Sequence, residues 1–107
     1  MNPNVLTMFE DKRSELEQLC RRYRVRRLSL FGSAVNDTFD TGSSDLDFAV
    51  EFEVTSPDQH KESYFGLLFG LEDLFNRPID LAEYQAIRND YFRQALAESE
   101  LTLYDVA

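Results

Sequence analysis

The chain has 107 residues and carries 20 acidic against 11 basic ones, for a net charge of −9. That length suits one small domain spanning 1–107, and the negative field excludes a broad nucleic-acid-binding surface. Cys20 is the single cysteine, so no internal disulfide forms. The opening Met1-Asn2-Pro3-Asn4-Val5 lacks a basic segment and a long apolar one, and no apolar run approaches a membrane span. A soluble cytoplasmic chain with no membrane partner is expected.

In chain order, residues 5 to 23 are predicted to form a helix, because Leu16, Leu19, Cys20 and Tyr23 recur at helical spacing. Cys20 reads as a small buried hydrophobe on it. Arg21, Arg22, Arg24, Arg26 and Arg27 then place five positive charges in seven residues. They read as a solvated helix end, or as a contact for an acidic partner or a phosphate. Val25 to Phe31 alternates as a short strand that Gly32-Ser33 ends. A helical turn over Ser33 to Asp37 and a turn-rich loop over Thr38 to Ser44 follow.

The segment Asp45 to Val54 has strand periodicity. Leu46, Phe48, Val50 and Phe52 share one phase; Asp45, Asp47, Ala49, Glu51 and Glu53 share the other. Ser56-Pro57 opens a helix with an apolar stripe of Tyr64, Leu67, Leu68, Leu71, Leu74 and Phe75. Gly66 and Gly70 interrupt it, either admitting another element closely or weakening the helix. Asn76-Arg77-Pro78 closes it. Ile79 to Tyr84 is a third strand, with Asp80 opposite Ile79 and Leu81. Tyr91 to Ser99 reads as a last helix. Leu101, Leu103, Tyr104 and Val106 form an apolar tail that packs on this chain or on a partner. The order of elements predicts an α/β layer with a three-stranded sheet.

Asp45 and Asp47 on one strand face lie about 6.6 Å apart at Cα. Two converging carboxylates repel unless a cation or proton lies between them, so a divalent metal is one reading and a solvated polar face the other. Asp80 supplies a third carboxylate if its strand is adjacent. Magnesium suits such hard oxygen ligands. Calcium is disfavoured, since the Asp37 to Asp47 stretch lacks the twelve-residue loop's closing glutamate. Gly32 permits close backbone approach to a ligand, and the amides after it, with the Ser33 hydroxyl, suit phosphate oxygens. His60 and Glu83 read as surface residues; a supporting role behind the carboxylates is the other reading of Glu83.

The stretch LFGSAVNDTFDTGSSDLDFAVEF, Leu30 to Phe52, with Asp80 in RPIDLAEY, resembles the minimal nucleotidyltransferases of the DNA polymerase beta superfamily. These include the MNT-domain antitoxins partnered with HEPN-domain toxins. Gly32-Ser33, a spacer, Asp45-Leu46-Asp47 and a later strand aspartate carry the resemblance. The spacer is eleven residues against the usual ten, and where many members have an arginine soon after the pair this chain has Ala34, Val35, Asn36 and Asp37.

The resemblance implies a minimal polymerase-beta-like fold with a small mixed three-stranded sheet packed with helices. It implies magnesium-dependent transfer of AMP from ATP to a hydroxyl, a tyrosine of a HEPN toxin, by the antitoxin of a type VII-like pair. Asp45, Asp47 and Asp80 would be catalytic and metal-holding residues. Gly32 and Ser33 would bind the nucleotide phosphates. A hetero-oligomer with the toxin is implied, with a homodimer as the alternative. Other readings are a silent antitoxin acting by binding alone, and transfer to a small molecule or an RNA end.

Overall fold

The computed structural model describes residues 3–32, 46–86, 94 and 100–106. Helix α1 spans Pro3–Asp11 and α2 spans Arg13–Arg22. They replace the single helix expected from 5 to 23. The break falls at Lys12, between Asp11 and Arg13, where no apolar side chain is lost from the core by a change of direction. It lets Phe9 reach the sheet, where its ring lies 6.2 Å from Phe48 and 4.9 Å from Phe75.

Among the described residues, three strands lie at the expected positions and a fourth is added. They are β1 Val25–Phe31, β2 Leu46–Phe52, β3 Ile79–Glu83 and β4 Leu101–Asp105. Their order is β3-β2-β1-β4. β1 pairs antiparallel with β2 and β4, whereas β2 and β3 run parallel. The sheet is therefore mixed, as expected, but four-stranded rather than three-stranded. The additional strand is the apolar tail. Its Leu-Thr-Leu-Tyr alternation has the strand period, and Leu101, Leu103 and Tyr104 pack on this chain's own core. The helical turn over Ser33 to Asp37 and the loop over Thr38 to Ser44 lie outside the described residues. So does the helix over Tyr91 to Ser99, apart from Gln94, which is helical.

Between β2 and β3 runs α3, Pro57–Phe75. Ser56 caps it by accepting from the Gln59 amide at 3.3 Å, and Pro57 occupies its first turn. Asn76, in the left-handed region at φ 52°, ends it. Leu67, Leu71 and Phe75 pack against Leu46, Phe48, Val50 and Leu81 in one buried cluster that also holds Leu16, Cys20, Leu28 and Leu30. All three helices thus cover one face of the sheet. Removing a ring such as Phe48 would cost about 3 to 5 kcal/mol.

The two helical glycines have a packing reason. A Cβ on Gly66 would run into the Tyr23 ring, and one on Gly70 into a Leu19 methyl. Both neighbours come from α2 or its end, so the glycines let the two helices approach. Among the described residues, no helix is long and apolar enough to cross a membrane.

The arginine run divides by position. Arg21 and Arg22 are exposed in the last turn of α2, as a solvated helix end requires. Arg24 donates to the Ser63 hydroxyl at 3.2 Å, Arg26 lies 3.7 Å from Glu51, and Arg27 pairs with Glu100.

Gly66→Ala should be more destabilising than Gly70→Ala in urea unfolding. A whole aromatic ring must move for the first, at about 1 to 3 kcal/mol, whereas a leucine methyl can rotate for the second and the helix gains alanine propensity. Equal midpoints for the two variants would contradict this packing.

Cys20 is fully buried, and burial, with Glu17 adding, pushes its thiol up to about 12. Its folded value exceeds the unfolded one, so its contribution to stability is present below about pH 9 and declines above it. At pH 8 a disulfide reagent should label Cys20 only as fast as the chain opens; immediate labelling of the folded chain would contradict its burial.

Candidate active site

The parallel pairing of β2 with β3 sets Asp47 directly beside Asp80 in register, with Leu46 beside Ile79 and Phe48 beside Leu81. Neighbouring strands lie about 4.8 Å apart, and residues in register point to the same side. Leu46, Phe48 and Leu81 point into the core. Asp47 and Asp80 therefore project from the opposite face, away from the helices. Asp80 is exposed and Asp47 half-buried.

Gly32 joins them from β1. Phe31 is the register partner of Asp47, so the chain leaves β1 at the level of that carboxylate. Gly32 has φ 74°, in the region that favours glycine, and a Cβ built on it would stand 2.5 Å from Asp47 Oδ2. A side chain there is both strained and in collision with the carboxylate. Glycine is required so that the backbone can pass over Asp47.

These three residues, distant in sequence, come to one end of the sheet. The two other candidates, Ser33 and Asp45, lie outside the described residues. They are chain neighbours of Gly32 and of Leu46. Among the described residues, no group of three His, Cys, Asp or Glu side chains is placed to hold a metal ion. The described part of the carboxylate set is the pair Asp47 and Asp80. Two hard-oxygen ligands on adjacent strands, facing the same way, fit an ion such as magnesium in donor type.

Around this pair the second sheet face is only partly open. Ala49, which shares the phase of Asp47, is fully buried and packs with Phe31, Ala82 and Tyr84. The expected mostly acidic face is thus acidic at Asp47, covered at Ala49 and acidic again at half-buried Glu51, which lies beside Arg26. Tyr84, in the turn Tyr84–Ala86 after β3, donates to Glu100 Oε2 at 2.5 Å, and the Arg27 guanidinium lies 5.0 Å from its ring centre. Burial first, then the bond to Glu100, pushes the Tyr84 hydroxyl up to about 12. This cluster was not legible in sequence, since Arg27, Tyr84 and Glu100 are brought together only by the fold.

Two further residues border β3 from the helical side. The Tyr64 hydroxyl donates to the Leu81 carbonyl at 2.7 Å, next to Asp80 in the chain. Burial raises its pKa, with the Glu83 and then the Asp80 charges adding. His60 Nε2 lies 2.7 Å from Glu83 Oε1, and its ring meets Phe52 edge-on. His60 and Glu83 thus engage each other, three residues along β3 from Asp80.

The model of the nucleotidyltransferase domain family matches residues 13–101 of the chain. The chain belongs to that family. Its fold is that of a minimal nucleotidyltransferase: it superposes on a solved minimal nucleotidyltransferase with a TM-score of 0.71 at 23% identity, covering 91% of this chain and 93% of that one. A toxin-antitoxin structure with AMP-PNP gives a TM-score of 0.64 at 20% identity, covering 88% and 73%. A tri-AMPylated Shewanella oneidensis HEPN toxin in complex with MNT antitoxin gives 0.61 at 17% identity, covering 91% and 72%. No curated protein matches the chain.

Gly32→Ala should lower the affinity for magnesium with a non-hydrolysable ATP analogue about tenfold or more in calorimetry, by displacing Asp47. It should cost about 1 kcal/mol or more in stability from backbone strain. An unchanged affinity would detach Gly32 and Asp47 from nucleotide binding.

Proposed function

We propose that this chain transfers AMP from ATP, with magnesium, to a tyrosine hydroxyl of a HEPN-domain toxin, as the cytoplasmic antitoxin of a type VII-like pair. The observation that carries the reading is the register of Asp47 beside Asp80, with Gly32 turned over Asp47. The membership of the nucleotidyltransferase family supports the reaction class. The solved HEPN toxin that is tri-AMPylated and complexed with an MNT antitoxin supports the acceptor.

Asp45, Asp47 and Asp80 would hold the metal. When bound, magnesium offsets the charge of the triphosphate and of the departing pyrophosphate. Ser33 and the amides after Gly32 would hold the outer phosphates, where backbone N–H groups suit anions. The acceptor oxygen attacks the α-phosphorus, forming a new oxygen–phosphorus bond while the bond to pyrophosphate breaks. Asp80 would receive the hydroxyl proton directly or through water, a role that its exposure on the edge strand supports. The half-buried Asp47 is the better anchor for the metal, because it is held beneath Gly32.

The test is intact-mass measurement of a HEPN-domain toxin incubated with this chain, ATP and magnesium. A gain of one or more AMP units is expected, lost with Asp47→Asn and with a chelator. A tight complex with no mass gain would assign the chain to neutralisation by binding alone.

A further inference from the structure

Between Tyr64 and Leu71 helix α3 carries no charged side chain on any of its sides, so apolar residues point outward there as well as inward. Three of its sides are covered within the chain. Leu67, Leu71 and Phe75 meet the sheet, Gly66 and Gly70 meet α2, and Tyr64 meets β3. The fourth side carries Phe65, 44% exposed, and Phe69, 59% exposed. Their rings stack at 6.1 Å, and Tyr64 abuts Phe65 edge-on at 5.3 Å. Adjacent exposed aromatic rings are the type of side chain that anchors protein interfaces.

Charge selects the occupant. Exposed Asp58, Glu62 and Asp73 and half-buried Glu72 belong to the same helix, against a single Lys61. An acidic rim repels a nucleic acid and an anionic membrane. It also repels a second copy of the same helix, which would bring four carboxylates against four. It attracts a protein surface whose apolar residues are flanked by lysine or arginine.

Position fits as well. α3 borders β3, the edge strand that carries Asp80, and the Tyr64 hydroxyl ends on the carbonyl next to that residue. A protein seated on Phe65 and Phe69 can reach round this edge to the carboxylate face.

We infer that the outer face of α3, centred on Phe65 and Phe69, docks a basic, apolar-centred surface of the partner protein that receives the nucleotide. This rests on the proposed function and adds the surface that holds the acceptor protein.

The experiment uses the full chain co-expressed with a HEPN-domain toxin, followed by affinity measurement on the purified components. Phe65→Ser with Phe69→Ser should weaken binding about 30-fold or more. Glu72→Lys with Asp73→Lys should weaken it about tenfold and flatten its salt dependence. Leu6→Ser with Val106→Ser, at exposed apolar positions elsewhere, should leave it unchanged. Magnesium-dependent nucleotide binding should persist in all three double variants, showing that they fold.

A photo-crosslinking residue at position 69 should capture the toxin, and one at position 6 should not. Native binding that survives the Phe65 and Phe69 changes, or crosslinks from position 6 alone, would overturn the surface while leaving the transfer reading intact. A native chain that binds no HEPN-domain toxin would overturn the proposed function and this surface with it.

Discussion

The arrangement depends on one pairing: the parallel alignment of β2 with β3 that sets Asp47 beside Asp80. Two carboxylates at strand spacing repel in the absence of a cation, so the local pairing is unfavourable taken alone. It is held from the other face, where Leu46, Phe48, Val50 and Leu81 are buried beneath α3. A slip of one residue would turn that apolar set out to water and the aspartates into the core. The register of the acidic pair is thus set by hydrophobic burial on the opposite side of the same strands.

The crossover from β2 to β3 supplies this burial. α3 is fixed at both ends, by the Ser56 cap with Pro57 and by left-handed Asn76. Its glycines let α2 lie close, and Tyr64 ties it to the backbone of β3. One helix therefore links the sheet core, the second helix and the strand bearing Asp80. Gly32 closes the site from β1 by occupying a conformation and a space that no side chain shares.

Much of this was legible in the residues. The alternation of Leu46 to Phe52 gave the strand and its faces, and Ser56-Pro57 and Asn76-Arg77-Pro78 bounded α3. The candidate residues Gly32, Asp47 and Asp80 come to one end of the sheet; their roles, like those of Ser33 and Asp45, are proposals. What was not legible came from long-range contacts. Register between β2 and β3 follows from packing across the core, which local periodicity does not contain. The tail from Leu101 had the period of a strand, but its pairing with β1 joins segments more than seventy residues apart. The break at Lys12 interrupts an otherwise continuous helical pattern because Phe9 is drawn to Phe48 and Phe75. Ala49 shared the acidic phase yet is buried, because Tyr84 folds over it.

The proposed position of the metal is where Gly32, Asp47 and Asp80 meet. Titrating the isotopically labelled chain with a small amount of manganese in the presence of ATP, and following its backbone amide resonances, tests this most directly. The amides of Gly32, Asp47 and Asp80 should broaden first, and those on the outer face of α3 last. First broadening at the α3 carboxylates, or uniform broadening over the acidic surface, would contradict it.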